Sequence, residues 1–102
     1  MAQVVVNVMY NAPADPQAFE HYYVETHLPI AGRIPSVEQI VLIKGLAGPD
    51  GSPPPYYRVA QLFFADAGTM AAAMGSPEGQ AAVADIANFA TGGVSVLVGE
   101  VV

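Results

Sequence analysis

The sequence predicts a two-layer α+β fold in which the elements follow the order β-α-β-β-α-β, with a four-stranded antiparallel sheet and two helices on one face. Short valine-rich runs of alternating character predict the strands. Capping residues followed by proline predict the helix starts, and Gly/Pro-rich segments separate the elements. At 102 residues, the chain is long enough for one domain and short for two, so we expect a single domain over residues 1–102.

The first strand is predicted at Val4–Tyr10, a β-branched run that ends at Asn11-Ala12-Pro13. Side chains alternate between the two faces of a strand. One face therefore carries Val4, Val6, Val8 and Tyr10, and the other carries Gln3, Val5, Asn7 and Met9.

The first helix is predicted to start at Asp15-Pro16, because the carboxylate can accept hydrogen bonds from the free N–H groups and proline suits the first helical position. Residues three and four apart then form one stripe, which comprises Phe19, Tyr22, Tyr23, Thr26 and Ile30. His27 lies at the margin of this stripe, and His21 lies on the polar side. Pro29 is expected to kink or end the helix within one or two residues.

The second strand is predicted at Val37–Lys44, and its apolar residues on both faces predict cover on each face. A loop at Gly45–Pro55 joins it to a third strand at Tyr56–Ala65, which makes a long-looped hairpin. The loop lacks the lysine or hydroxyl residue and the following helix that a phosphate site needs, so we interpret it as structural.

The second helical region is predicted to begin at Asp66, to break at Gly75, and to restart with Ser76 as the cap before Pro77. We expect it to run to about Ala90. Its inward residues are predicted to be Val83, Ile86, Ala87 and Ala90.

A fourth strand at Val94–Val102 completes the order of a ferredoxin-like sandwich. The sheet face away from the helices would otherwise meet water, yet apolar candidates for the two faces include Val5, Met9, Val41 and Ile43. Hydrophobic residues make up 53% of the chain and charged residues only 12%. Because obligate interfaces resemble a core cut in half, we predict a homodimer that pairs through the sheet.

The charge balance excludes some partners. Three basic residues against nine acidic ones give a net charge of −6, which argues against nucleic acid and anionic membranes as partners. Without cysteine there is no disulfide, thiolate metal site or thiol nucleophile. No signal peptide and no stretch of membrane-helix length is apparent, so a cytoplasmic protein is expected.

His27 is the best candidate for chemistry, because a histidine on the border of an apolar stripe can exchange a proton near neutral pH. Tyr23, one turn earlier, could hydrogen-bond it or present its hydroxyl to a ligand. The alternative is that His27 satisfies a carbonyl group exposed by Pro29. We expect Tyr23, aligned with His27, to reach the cavity in preference to Tyr22, although aromatic residues at this spacing are more often core.

Tyr22, Arg58 and Asp85 are predicted to help bind the substrate. Arg58 could hold a carboxylate or an enolate, but a salt bridge with Glu38 or Asp85 is the interpretation that we favour. Asp85 with Asn88 could orient a site residue, or the two could lie on a solvated helix face.

No metal and no cofactor are predicted. His21 and His27 are six residues apart and fall on different faces of the helix, and no His-x-x-x-His or Glu-x-x-His motif is present. His27 would be the only plausible axial ligand for haem. No glycine fingerprint for a dinucleotide follows the first strand.

Four motifs in order along the chain resemble the EthD family, named for ethyl tert-butyl ether degradation. They are Phe19-x-x-Tyr22-Tyr23-x-x-x-His27-x-Pro29 after Asp15-Pro16, then Pro55-Tyr56-Tyr57-Arg58, Ser76-Pro77-Glu78-Gly79 and Asp85-x-x-Asn88-Phe89. The resemblance implies a dimeric α/β barrel in which two ferredoxin-like sheets close on each other, with a ligand between the sheet and helices of one subunit. It also favours a functional His27. Relatives of this architecture include muconolactone isomerase, polyketide cyclases and cofactor-free monooxygenases, and EthD-like proteins often accompany oxidative breakdown of ethers and other foreign compounds.

These residues are compatible with three functions. The first is a cofactor-independent enzyme acting on a small, mostly apolar molecule, with His27 as general acid/base and Tyr23 orienting. Its reaction would be isomerisation, dehydration or an oxygen-dependent oxidation. The second is a non-catalytic protein that carries a hydrophobic intermediate for a neighbouring monooxygenase, and the third is a structural dimer without a natural ligand.

Overall fold

The structure, a computed structural model, describes residues 2–102, so Met1 of the predicted domain lies outside the described residues. The elements are β1 (Val4–Tyr10), α1 (Pro16–Tyr22), a π-helical turn (Tyr23–His27), α2 (Leu28–Ala31), β2 (Gln39–Lys44), β3 (Arg58–Phe64), α3 (Ala67–Gly75), α4 (Pro77–Ile86) and β4 (Val94–Glu100). All strand pairs are antiparallel, and the strand order is β2-β3-β1-β4. The predicted ferredoxin-like α+β fold is confirmed. The predicted break of the second helical region at Gly75 is observed, whereas the first region contains a π-helical turn between α1 and α2 that was not predicted.

β1 and β3 are the two central strands of the sheet. Val6 pairs with Leu62 of β3 on one side and with Val98 of β4 on the other. The residues predicted to share one face of β1, from Val4 to Tyr10 at every second position, are all buried. The alternation predicted from the sequence therefore sets which face of the sheet meets the helices.

The first helical region starts as predicted. Asp15 accepts hydrogen bonds from the backbone N–H groups of Gln17 and Ala18 at 3.1 and 3.2 Å, and Pro16 is the first helical residue. The helix ends at Ala31, two residues after Pro29, which agrees with the expected stop.

The π-helical turn changes which side chains face inward. The N–H of Leu28 bonds to the carbonyl oxygen of Tyr23, five residues earlier, so this turn takes one residue more than an α-helical turn. Thr26 consequently faces solvent and His27 is buried. The expectation that Thr26 belongs to the inward stripe and His27 only to its margin is wrong, because it assumed an unbroken α-helix.

The second helical region begins and restarts at the predicted caps. Asp66 accepts a hydrogen bond from the N–H of Thr69 at 2.7 Å, and Ser76 accepts one from the N–H of Gly79 at 3.1 Å. Gly79 packs so closely under α3 that a Cβ there would collide with the carbonyl oxygen of Ala73. The glycine therefore fixes the contact between α3 and α4.

The predicted inward face of α4 is partly wrong. The buried residues of α4 are Gly79, Ala82 and Asp85, whereas Val83 and Ala87 are exposed. The close contact at Gly79 sets the rotation of α4 so that its buried residues face the interior. The helix ends at Ile86 rather than near Ala90. This rotation is what carries Asp85 into the interior.

The two edge strands are poorly covered within one chain. Ile40 and Leu42 of β2 are 40% and 41% exposed, and Val96 of β4 is 59% exposed. The expectation that β2 is covered on both faces is therefore not met by this chain alone, because the helices lie over the central strands. On the opposite face of the sheet, Gln61 donates a hydrogen bond to Asn7 at 3.1 Å.

Candidate active site

Four aromatic rings pack between α1 and the sheet, and we call them the aromatic cluster. They are Tyr10, Phe19, Tyr23 and Phe89, and every pair has ring centroids between 5.2 and 5.7 Å apart. Such pairs contribute about 0.5–1.5 kcal/mol each beyond the area they bury. The cluster is therefore a rigid support for the groups around it.

His27 extends from the π-helical turn to the edge of this cluster. Its ring lies 4.6 Å from that of Phe89, and it stacks on Tyr23 with centroids 5.8 Å apart and an interplanar angle of 15°. The side chain is only 5% exposed. The rings thus hold the imidazole in one orientation.

Asp85, in the last turn of α4, fixes the imidazole through a hydrogen bond. His27 Nδ1 lies 2.8 Å from Asp85 Oδ2, and both residues are buried. An ionised carboxylate only accepts hydrogen bonds, so we assign the proton of the neutral imidazole to Nδ1. This leaves Nε2 with a free lone pair that can accept a proton.

Two further donors hold Asp85, and the four residues Tyr22, His27, Asp85 and Asn88 form what we call the Asp85 cluster. The Tyr22 hydroxyl donates to Asp85 Oδ1 at 2.6 Å, and Asn88 Nδ2 donates to the same oxygen at 3.0 Å. Burial tends to raise the pKa of the Asp85 carboxyl, but the hydrogen bonds from Tyr22, Asn88 and His27 outweigh it and hold the pKa below its usual value. Asp85 is therefore a carboxylate at neutral pH.

A cavity of about 120 Å³ lies between the helices and the sheet. Its polar lining residues are His27, Tyr10 and Tyr23, and all the others are aliphatic or methionine. Ile40, Leu42 and Val96, which are partly exposed, form part of its wall. For comparison, a dry apolar cavity on the order of 150 Å³ holds a benzene-sized molecule.

Arg58 lies over the ring of Tyr23, in a group that we call the Glu20 cluster (Glu20, Lys44 and Arg58). Its guanidinium donates two hydrogen bonds to Glu20, at 2.6 and 3.2 Å, and stacks 5.3 Å from the centre of the Tyr23 ring. Lys44 Nζ is 3.9 Å from the same carboxylate. The salt bridge that we favoured is therefore present, but its partner is neither Glu38 nor Asp85.

The different partner of Arg58 has a physical reason. Arg58 begins β3 on the helix-facing side, and there it meets α1, which carries Glu20. Glu38 instead accepts a hydrogen bond from Gln3 at 3.2 Å. Arg58 does not line the cavity.

The two adjacent tyrosines do different things. Tyr22 contacts Asp85, whereas Tyr23 lines the cavity and stacks on His27 without hydrogen-bonding it. His21 is exposed, as expected. Sequence reasoning missed Tyr10 as a cavity residue, although its place at the inward end of β1 was a usable signal, and missed the contact between Asn88 and Tyr22 at 3.4 Å.

Two features are absent from residues 2–102. Over that range, His, Asp and Glu side chains form no group of three or more that could hold a metal ion. None of the helices described there is both long and apolar enough to cross a bilayer. The absence of a metal and of a cofactor remains a prediction.

The fold and site define an α+β protein with a buried histidine–aspartate pair beside an apolar cavity. Residues 11–93 match the family model described as the EthD domain, and the chain belongs to the EthD family. It is 47% identical over 92 residues to an uncharacterized 11.0 kDa protein in the thcB-thcC intergenic region of Rhodococcus erythropolis, which covers 90% of this chain and 88% of that one. The recognition of the family from its motifs is confirmed.

Solved structures agree. An EthD family protein from Bacillus halodurans superposes with a TM-score of 0.92 at 27% identity, over 98% of this chain and 99% of that one. An EthD-like protein from Ralstonia eutropha superposes with a TM-score of 0.78 at 29% identity, over 100% of this chain and 94% of that one.

More distant structures share the fold alone. A dimeric ferredoxin-like protein of unknown function from Thermobifida fusca has a TM-score of 0.72 at 12% identity and covers 98% of this chain and 92% of its own. SnoaB from Streptomyces nogalater, a cofactor-independent oxygenase, has a TM-score of 0.64 at 14% identity, over 100% of this chain and 93% of its own.

Proposed function

We propose that this protein binds a small apolar molecule in the cavity and that His27 transfers a proton to or from it. The observation that carries the proposal is the 2.8 Å contact between His27 Nδ1 and Asp85 Oδ2 at the edge of an apolar cavity. Asp85 keeps the proton of the neutral ring on Nδ1, so that Nε2 is the base. When Nε2 takes a proton from the ligand, the carboxylate stabilises the imidazolium that forms.

The low polarity of the cavity supports this chemistry. An apolar wall limits the access of water, so the attraction between imidazolium and carboxylate is little screened. A proton transfer by itself needs no cofactor. Removal of a proton from carbon leaves a carbanion, and what happens to it decides the reaction. Return of the proton to another carbon gives an isomerisation, and loss of a hydroxide group gives a dehydration. Oxidation of the carbanion by dioxygen gives an oxygenase reaction.

We also propose that the protein is a homodimer paired through the face of the sheet that carries Asn7 and Gln61. That face also presents Val5, Met9, Val41 and Ile43. The Thermobifida fusca protein has the same fold and is dimeric, which supports a dimeric state for this chain. Light scattering is expected to give the mass of two chains, and a monomer at micromolar concentration would contradict it.

Deuterium uptake tests the acid/base role without knowledge of the natural substrate. Carbon acids such as nitroethane and pentane-2,4-dione are incubated with the protein in D₂O, and the loss of the C–H signal is followed by NMR. We expect the protein to accelerate the exchange. His27→Asn should abolish this acceleration, because asparagine can still donate to Asp85 in place of Nδ1 but has no counterpart of Nε2.

His21→Asn is the matched control, because His21 lies on the same helical region and is exposed. It should leave the exchange rate unchanged. Exchange retained by His27→Asn would reject His27 as the base. A wild-type protein that binds apolar molecules in the cavity but exchanges no hydrogen with any carbon acid would instead favour the non-catalytic carrier.

A further inference from the structure

The sheet side of the cavity includes a row of side chains that crosses all four strands. Ala60 of β3 pairs with Leu42 of β2 and with Val8 of β1, and Val8 also pairs with Val96 of β4. All four residues line the cavity. Ala60 is the smallest of them, although strands favour β-branched and aromatic residues. A single methyl group in the middle of the sheet therefore leaves room that a typical strand residue would fill.

Two more alanines border the cavity on the side of the helices. Ala31 is the last residue of α2, and Ala82 lies in the buried row of α4, one turn before Asp85. Both alanines line the cavity. Ala60 and Ala82 are buried, at 7% and 4% exposed. The cavity is thus bordered by buried alanine side chains in both layers of the fold.

Ala73 of α3 is a buried alanine in a different setting. It is 2% exposed and does not line the cavity, and its carbonyl oxygen is so close to Gly79 that a Cβ there would collide with it. A larger residue in such a close-packed place forces its neighbours apart, whereas a larger residue beside a cavity gains contacts. Alanine at positions 60 and 82 therefore forgoes stability that a larger residue would supply, as is expected where space is kept for a ligand.

The wall of the cavity also restricts the charge of the ligand. Among residues 2–102, no lysine, arginine, aspartate or glutamate lines it. An ion in the cavity would lose its hydration without a fixed opposite charge in contact with it, and that loss is costly. The volume of about 120 Å³ is comparable with that of a cavity that holds a benzene-sized molecule. Size and charge together favour an uncharged ligand with one ring.

We propose that Ala60 and Ala82 determine the specificity of the cavity, and that the space they leave admits an uncharged molecule the size of a single six-membered ring. This inference rests on the proposed function and specifies the size and the charge of its ligand. A valine at either position would occupy that space with its own methyl groups. The protein would then lose its ligand while keeping its fold.

Toluene, naphthalene and benzoate are the probes, and their binding is measured by NMR chemical-shift titration. We expect the wild-type protein to bind toluene more tightly than naphthalene, which is larger, and more tightly than benzoate, which is charged. Ala60→Val and Ala82→Val should each lower the affinity for toluene by about tenfold or more, and Ala60→Val should also raise the melting temperature. Ala60→Gly enlarges the cavity by one methyl group and should shift the preference towards naphthalene by about threefold to tenfold.

Ala73→Val is the matched control for Ala82→Val, because each change places a valine at a buried position inside a helix and the two share the same loss of helix propensity. It should keep the affinity for toluene and have a lower melting temperature than Ala82→Val. Equal affinity of the wild-type protein for toluene and naphthalene would overturn the inference, and so would tighter binding of benzoate than of toluene. Neither of those measurements needs a variant. An affinity for toluene that survives in both Ala60→Val and Ala82→Val would overturn it as well.

This inference and the role of His27 fail in different measurements. Toluene has no C–H bond acidic enough for a histidine to break, so its affinity reports on the space in the cavity alone, whereas deuterium exchange of pentane-2,4-dione reports on His27. Loss of toluene binding in Ala60→Val, in a protein that exchanges no hydrogen, would support this inference and reject the acid/base role. Exchange that depends on His27, together with toluene binding that is independent of Ala60 and Ala82, would do the opposite.

Discussion

The Glu20 cluster and the Asp85 cluster both adjoin Tyr23, and each is built around one carboxylate. Glu20 meets an arginine that is always charged and that occupies it with two hydrogen bonds. Asp85 meets a histidine, which bonds to it through Nδ1 and keeps Nε2 free. The first cluster is closed, whereas the second can still exchange a proton.

The two clusters also differ in what surrounds them. His27 lines the cavity, whereas neither Glu20 nor Arg58 does so. The Asp85 side chain is 8% exposed and that of Glu20 is 29% exposed. The partner and the setting of the carboxylate, more than its presence, therefore distinguish the cluster that we propose for chemistry from the one that pairs charged side chains.

The largest expected effect on activity comes from neutralising Asp85, and the same change at Glu20 provides the comparison. Asp85→Asn should lower the rate of deuterium exchange by about a hundredfold or more, because the amide no longer fixes the proton on Nδ1 or stabilises the imidazolium. Glu20→Gln is the matched variant and should change that rate by no more than about twofold. An equal loss in the two variants would show that the clusters are not functionally distinct.

The stability of the protein in acid should depend on Asp85 in a defined direction. Its pKa is lower in the folded state than the ordinary value of 3.8, so the contribution to stability is complete above that value. It is lost as the pH falls through the folded pKa, because the unfolded chain binds the proton more readily. Urea unfolding of the wild type and of Asp85→Asn between pH 6 and 2 measures this contribution to the free energy of unfolding.

The pKa values of Asp50 and Asp66 are also lowered, so these carboxylates contribute to the acid dependence of the wild type as well. The difference in unfolding free energy between wild type and Asp85→Asn isolates the contribution of Asp85. We expect the stability advantage of the wild type over the variant to shrink below pH 3.8. An advantage that stays constant across the range would mean that the hydrogen bonds in the Asp85 cluster do not favour the ionised carboxyl.

The smallest effect should distinguish the two adjacent tyrosines. Tyr22→Phe removes a 2.6 Å hydrogen bond to Asp85 and is expected to lower the melting temperature. Tyr23→Phe removes a hydroxyl that has no partner among the described residues, so the melting temperature should stay the same or rise. The reverse order in thermal unfolding followed by circular dichroism would contradict the assignment of their roles.

Local patterns allowed much of the fold to be predicted. The bounds of β1 and the caps at Asp15, Asp66 and Ser76 follow from neighbouring residues, and all are confirmed. The prediction of His27 as a site residue rests on its place at the margin of a helical stripe and on the family motif around it, which are also local information.

The partners in the site could not be predicted in the same way. Asp85 is 58 positions from His27, and Glu20 is 38 positions from Arg58, so both contacts depend on how the helices are rotated over the sheet. That rotation depends on the close packing at Gly79 and on the π-helical turn. Neither changes the hydrophobic pattern from which the helices were predicted.

The π-helical turn determines which position along the helix faces the interior. Between Tyr23 and Leu28 the backbone holds one residue more than a regular helix would need to close the turn. In an unbroken α-helix of the same sequence, Thr26 rather than His27 would face the interior, and the Asp85 carboxylate would have no imidazole opposite it. One extra backbone residue in a single turn thus decides which side chain of the helix meets Asp85.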